Sequence, residues 1–265
     1  MQLTPESRLT LVYPAQSLAR HPYLQTRIEA LYQALSAHWS VERVGRDDFT
    51  PDLASRSSLV IVAGGDGTTL AVAHQVTTTP LLSLRLSDDS VGYLCTDDAA
   101  NAKALVEKLR TGACHVVVRP RLQLLVNGQP IGAPAYNDIL LAHPCPARAS
   151  RYAIHLNGQT ECHCSSGIWI ATAVGSHAAA RAAGAHPLPN DDPHFMYRVR
   201  EFCFADVTKP TLEHVFLPDD SPEFVITSHS LAFGDGDLWH TELVCGDKMR
   251  VTSATPLNVV QSVKS

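Results

Sequence analysis

Residues 58–63, SLVIVA, run without a break into Gly64-Gly65-Asp66-Gly67-Thr68-Thr69, after which a helical pattern, TLAVAHQV, takes over. An apolar strand that ends on glycines and opens into a helix leaves little choice of architecture. The strand needs cover on both faces, and the helix supplies it on one. In an open parallel sheet this end of the strand is also where ligands bind. Glycines allow a polyphosphate close to the main chain, and the unpaired N–H groups of the helix start favour an anion. Thr68 adds a hydroxyl. Asp66, an acid among groups suited to anions, fits a kinase in two ways: it holds a cation that bridges phosphates, or it takes a proton from an attacking hydroxyl. Taken alone, the segment also reads as a tight turn with a helix cap. It is neither the Walker pattern nor GxGxxG, and no lysine follows it to neutralise a terminal phosphate.

The rest of the first 112 residues alternates in the same manner. RLTLVY (8–13) reads as a buried strand. Leu24, Ile28, Leu31 and Leu35 give one apolar helical face within a helix expected from Leu18 to about Trp39. VERV and PLLSLRL read as strands, and DDAANAKALVEKLRTG as a helix that stops at Gly112. Beyond this the texture changes. Alternating segments turn at Asn127-Gly128 and Asn157-Gly158, both hairpin signals, and one Ala-rich helix is expected at about 176–184. The pattern predicts an α/β N-terminal domain with a parallel sheet (1–110) and a β-rich C-terminal domain (111–254). The tail of about 255–265 can pack back on the first.

Composition narrows the partners. Lys and Arg total 21 against 26 Asp and Glu, a formal charge of −5, with no long basic run. Nucleic acid and anionic membrane are therefore not expected partners. The seven cysteines are scattered and odd in number, which suits reduced thiols better than a disulfide scaffold. With no signal peptide and no long apolar run, the expectation is a soluble cytoplasmic protein.

Several segments, taken in order, resemble the NAD kinase family. GGDGT (64–68) is the loop that NAD kinases share with diacylglycerol-type lipid kinases and phosphofructokinases. YNDILLAHP (136–144) resembles the Asn-Glu motif of NAD kinases, and SSGIWIATAVGSHAAARAAGA (165–185) their Gly-rich segment. VGYL (91–94), FGDGDLW and CGDKMRVTSATPLNVV complete the likeness, which spans roughly residues 8–260 and is closest to a branch with mitochondrial-type and short bacterial members. The resemblance implies transfer of the γ-phosphoryl of ATP, with Mg²⁺, to the adenosine 2′-hydroxyl of NAD(H). It implies Asp66 as general base and ribose contact, and Gly64, Gly65, Gly67 and Thr68 as the phosphate loop. Asn137 would meet the adenine or ribose, and Asp138 stands for a ribose-holding Glu. Thr172, Gly175, Ser176 and His177 would lie near dinucleotide and phosphates. It also implies a homodimer or homotetramer. ATP and inorganic polyphosphate both remain open as donor, and NAD and NADH as acceptor. Three departures stand out: Asp138 is a methylene shorter than Glu, His177 replaces a Thr, and Ala179 replaces a Tyr that packs on an adenine. A nucleotide-binding homologue without turnover, and a lipid or sphingoid-type kinase with the same loop, are the alternatives.

Other polar groups have plainer readings. Cys162, His163 and Cys164 alternate along a strand and face opposite sides, so they suit small core residues better than a zinc site. His177 either donates to a phosphate or caps the following helix. NDDPH (190–194) reads as a solvated loop, and Arg198 and Arg200 as ordinary strand charges. Ser83 and Cys95 have no base beside them for acyl transfer.

Overall fold

The computed structural model describes residues 1–203 and 210–262. The chain forms two compact units: Met1–Arg119 joined by the chain from Pro256 onward, and Pro120–Thr255 between them in sequence.

The first unit holds the strands β1 (Arg8–Tyr13), β2 (Ser40–Gly45), β3 (Leu59–Gly64), β4 (Leu81–Arg85), β5 (Asp97–Asp98) and β6 (Cys114–Arg119), with helices α1 (Ala15–Arg20), α2 (Pro22–Ser36), α3 (Pro51–Ser55), α4 (Asp66–Ala73) and α5 (Ala102–Thr111). Strands β2, β1, β3 and β4 lie side by side and parallel, in that order. All six residues of β3 are buried, because side chains alternate between two covered faces. Leu59, Ile61 and Ala63 join a core with Leu24, Ile28, Leu31 and Leu35 of α2 and Leu105, Val106 and Leu109 of α5. Val60 and Val62, equally buried, point to the opposite face.

Three sequence expectations are corrected in detail. The helix from Leu18 to Trp39 is two helices, because His21 precedes Pro22 and adopts φ −133°, ψ 85°, away from the α region that a following proline disfavours. The helix expected at 176–184 shrinks to a 3₁₀ turn at Gly175–His177 and the single turn α6 (Ala179–Ala182), separated by Ala178 at φ −92°, ψ −122°. The division between units falls after β6, beyond residue 110. β6 pairs antiparallel with the final strand of the chain, Leu257↔Arg119 through Ser262↔Cys114. The last three residues of the expected tail lie outside the described residues.

The second unit is built from β7 (Leu122–Val126), β8 (Gln129–Ala135), β9 (Asp138–Ala142), β10 (Ser150–Leu156), β11 (Gln159–Ser165), β12 (Gly167–Ala171), β13 (Phe195–Arg200), β14 (Glu213–Phe216), β15 (Glu223–Ile226), β16 (Ser230–Gly234), β17 (Trp239–Leu243) and β18 (Lys248–Ser253). They form two antiparallel sheets, β11-β10-β15-β18-β7-β8 and β14-β13-β12-β9-β16-β17, whose inner faces share one core that includes Leu124, Ile139, Tyr152, Ile170, Tyr197 and Phe224. Both Asn-Gly turns have the positive φ pair that a tight hairpin requires: Asn127 51° and Gly128 80°, Asn157 51° and Gly158 75°. The last strand, β19 (Leu257–Ser262), returns to the first sheet between β4 and β6. No helix among the described residues is long and apolar enough to cross a membrane.

Candidate functional site

In the first unit the chain leaves β1 for β2 on one side and reaches β3 on the other. This reversal opens a crevice at the carboxyl ends of β1 and β3, the place where doubly wound sheets take ligands. A cavity of about 250 Å³ lies there, lined among others by Pro14, Arg46, Gly64, Gly65, Thr68 and Ser90. Gly65 is the N-cap of α4 and Asp66 its first residue. Each glycine has its own reason. A Cβ on Gly64 would come within 2.7 Å of the Thr68 side chain, and one on Gly65 within 2.7 Å of Ser90 Oγ. A Cβ on Gly67 would meet nothing within 4 Å, so packing does not demand that residue. Thr68 is buried and closes over Gly64, while Thr69 Oγ1 donates to the Gly65 carbonyl at 3.2 Å.

Asp66 is half-buried. Its Oδ2 accepts from the Tyr93 main-chain N–H at 3.1 Å and its Oδ1 from that of Leu94 at 2.8 Å. The VGYL segment is therefore a saddle for this carboxylate, entered through Gly92 at φ +60°. Each oxygen retains acceptor capacity beyond its one N–H. Burial first, and then the Asp66 charge, push the neighbouring Cys95 thiol up to about 12, which leaves it inert as a nucleophile.

In the second unit the Asn-Asp motif is held from two sides. Asp235, buried at the end of β16 with φ 48°, accepts the main-chain N–H groups of Tyr136 (2.7 Å), Asn137 (2.7 Å) and Asp138 (3.1 Å). Thr172, fully buried, donates its hydroxyl to the Tyr136 carbonyl at 2.8 Å and accepts from the Gly175 N–H at 3.0 Å. Gly175 packs so closely that an added Cβ would stand 1.9 Å from the Asn137 carbonyl oxygen. Asn137 Oδ1 is buried without a hydrogen-bond partner. Such a group in a native interior calls for an explanation, and a ligand donor is one. Burial, and secondly the charge of Asp235, raise the Asp138 carboxyl to about 8.

Not every expected residue presents itself to a ligand. The Ser176 hydroxyl is fully buried, donating to the Ala173 carbonyl and accepting from the Leu188 N–H. The His177 ring lies 2.8 Å from the Leu188 carbonyl through Nε2, so it braces the 177–188 loop. Arg198 donates to the Ala183 carbonyl and pairs with Glu213, and Arg200 lies beside Glu201 and the Trp169 ring. Cys162 is exposed, so the reading of core cysteines fails there. Asp192 accepts from His194 within its own loop.

Sequence reasoning missed two groups. Arg46 is the one basic side chain among the residues that line the cavity at the glycine loop. It follows β2, where nothing in spacing marks it, and is steadied by Asp47 at 2.8 Å. The triple clasp of Asp235 was likewise invisible, although FGDGDLW marked a turn.

The sequence of residues 10–114 matches the model of the ATP-NAD kinase N-terminal domain. A probable NADH kinase of rice (Oryza sativa subsp. japonica) is 28% identical over 257 residues, covering 86% of this chain and 77% of that protein. Among solved structures, yeast NADH kinase complexed with NADH superposes with a TM-score of 0.81 at 16% identity, covering 98% of this chain and 84% of the other. An NAD kinase from Archaeoglobus fulgidus in complex with ATP gives 0.74 at 19%, covering 97% and 93%.

Proposed function

The chain belongs to the NAD kinase family, and we propose that it moves the γ-phosphoryl group of ATP to the 2′-hydroxyl of the adenosine ribose of NAD(H), giving NADP(H). The observation that carries this reading is the glycine loop at the sheet reversal: Gly64, Gly65, Gly67 and Thr68 line the cavity there with Arg46, and Asp66 sits within that loop as the first residue of α4. Backbone N–H groups at the start of α4 receive phosphate oxygens, and Gly67 leaves room for them. Arg46 offsets their charge. Asp66, aimed by Tyr93 and Leu94, takes the proton of the ribose hydroxyl as that oxygen attacks phosphorus. The bond to the leaving ADP oxygen breaks as the new ester bond forms.

Mg²⁺ would be held together with the nucleotide. Among the described residues no group of three or more His, Cys, Asp or Glu could hold a metal ion. A Mg²⁺ ion carried on phosphate oxygens would need at most one carboxylate from the protein. Asp66 is the residue that would reach it, and the ion supplies charge neutralisation on the transferred group.

In the second unit, Asn137 and Asp138 hold the nucleoside, with Thr172 and Gly175 shaping the main chain that presents them. Ser176 and His177 act one step back, by bracing the 172–188 segment. Seven free cysteines, four of them exposed, suit a reducing cytoplasm, and a homodimer or homotetramer is the assembly we assign. A dye-coupled NADP(H) assay tests the whole reading. Purified protein is incubated with ATP or polyphosphate, NAD or NADH, and Mg²⁺ or a chelator. Turnover that requires a dinucleotide and is abolished by chelation is expected. Absence of turnover with every donor and acceptor, in folded protein, overturns it.

A further inference from the structure

We propose that Asp235 is a positioning residue for the dinucleotide: its carboxylate presets the Tyr136–Asp138 main chain so that Asn137 and Asp138 meet the nucleoside without rearrangement. The inference rests on the nucleoside-holding role given above to Asn137 and Asp138, and adds the group that fixes them.

Three main-chain N–H groups in a row point at one buried carboxylate, two of them at 2.7 Å. Three successive donors cannot all be satisfied by a strand partner, whose pairing serves alternate residues. The segment is therefore bent out of the sheet at its entry to β9, and Asp235 is the reason it can be. In return, the Asp235 N–H donates to the Asp138 carbonyl at 2.9 Å, which locks the two turns together. A φ of 48° at Asp235 is a conformation that Asp tolerates and most residues avoid. The consequence falls on the Asn137 side chain, whose Oδ1 stays buried and unpartnered. A flexible segment would rotate that amide to find a donor. A clasped one holds it open for a donor brought by a ligand, such as the amino group or a hydroxyl of a nucleoside.

Asp235 also acts on Asp138 through its charge, which adds to burial in favouring the protonated Asp138 carboxyl. A further charged group in this neighbourhood is Arg121, whose guanidinium feels the Asp235 carboxylate. β12 brings only Ala171 opposite Asp138, and β16 brings Gly234 opposite Ile139. Below the Asp138 titration the group donates a hydrogen bond to a ribose hydroxyl, and above it can only accept.

The test compares wild type with Asp235→Asn, Asp235→Glu and Asp138→Asn. Asp235→Asn keeps the size but turns an amide NH₂ toward a main-chain N–H and removes the charge. KM for the dinucleotide should rise at least tenfold while KM for ATP stays within about twofold. The Asp138 carboxyl, followed by NMR in ¹³C-carboxyl-labelled protein without ligand and assigned through Asp138→Asn, should titrate near 8 in wild type and distinctly lower in Asp235→Asn. Asp235→Glu keeps the charge and displaces the oxygens, so it should retain the high midpoint and still lose dinucleotide affinity. Equal rises in both KM values, or a common Asp138 midpoint in wild type and Asp235→Asn, overturn the proposal. If Asp235→Asn does not fold, an unchanged dinucleotide KM in Asp235→Glu overturns it. A wild type without turnover defeats the kinase reading alone, because the labelled titration still judges the link between Asp235 and Asp138.

Discussion

Asp66 Oδ1 lies 2.8 Å from the main-chain nitrogen of Leu94, so the acid of the glycine loop is aimed by a turn 28 residues downstream in sequence. On the proposed mechanism the VGYL turn thus contributes by aiming the base. Asp66→Asn keeps one acceptor oxygen but places an NH₂ against the other N–H and abolishes the base. Turnover is expected to fall by at least about 100-fold, with dinucleotide affinity from calorimetry little changed. A variant with undiminished kcat would remove Asp66 from its assigned role.

The glycines of the loop separate into structural and functional ones. Gly64→Ala drives a Cβ into Thr68 at 2.7 Å, an overpacking expected to cost about 1–3 kcal/mol. Gly67→Ala meets nothing within 4 Å, so its melting temperature should match or exceed wild type. Its KM for ATP should nonetheless rise, because the methyl occupies phosphate space. Thermal melts and ATP kinetics on the two variants check this; a Gly67→Ala enzyme with an unaltered ATP KM refutes the phosphate assignment.

Thr172→Val leaves the Tyr136 carbonyl and the Gly175 N–H without the hydroxyl that serves both. Stability should drop by about 2 kcal/mol or more, read as a lower denaturant midpoint. Val and Thr are nearly the same shape, so a change under about 0.5 kcal/mol would show that these bonds are not made in solution.

Asp138 predicts a pH slope in stability. Its carboxyl, raised to about 8 in the folded chain, titrates near 3.9 when unfolded. Between those values the folded state holds a proton that the unfolded chain has released, so stability falls as pH rises and levels off above the folded value. Asp138→Asn cannot titrate. The gap in unfolding free energy between variant and wild type should therefore shift in favour of the variant from pH 5 to pH 8. Comparing the two proteins cancels the opposing contributions of His163 and His214, both lowered first by burial. A gap independent of pH contradicts the raised titration.

The parts of the fold that could be read in the sequence are those whose cause is local. The step from β3 through Gly64–Gly67 to α4, the Asn-Gly hairpins and the stop at Gly112, which adopts φ +74°, depend on residues within a few positions of one another. What stayed hidden depends on distant partners. The carboxylate that holds Asn137 is Asp235, 98 positions away. β6 belongs to the first sheet only because Leu257–Ser262 pairs with it. The Ala-rich stretch after 176 looks helical by propensity. Gly175, however, has to sit against the Asn137 carbonyl, and that close approach sets the backbone instead.

The position of β19 has a consequence for synthesis. It is the seam between β4, to which it runs parallel, and β6, to which it runs antiparallel. Thr96 donates to its Val260 carbonyl, and Lys108 reaches its Ser262 hydroxyl. A ribosome-bound chain that has emerged only as far as Thr255 has made all of β1 to β6 and still cannot join β6 to the rest of the sheet. Until Leu257–Ser262 have left the exit tunnel, β6 lacks its sheet partner and the edge of β4 is covered only by the two-residue β5. That interval is when a nascent chain of this topology is most exposed to mispairing with its neighbours and most in need of a chaperone.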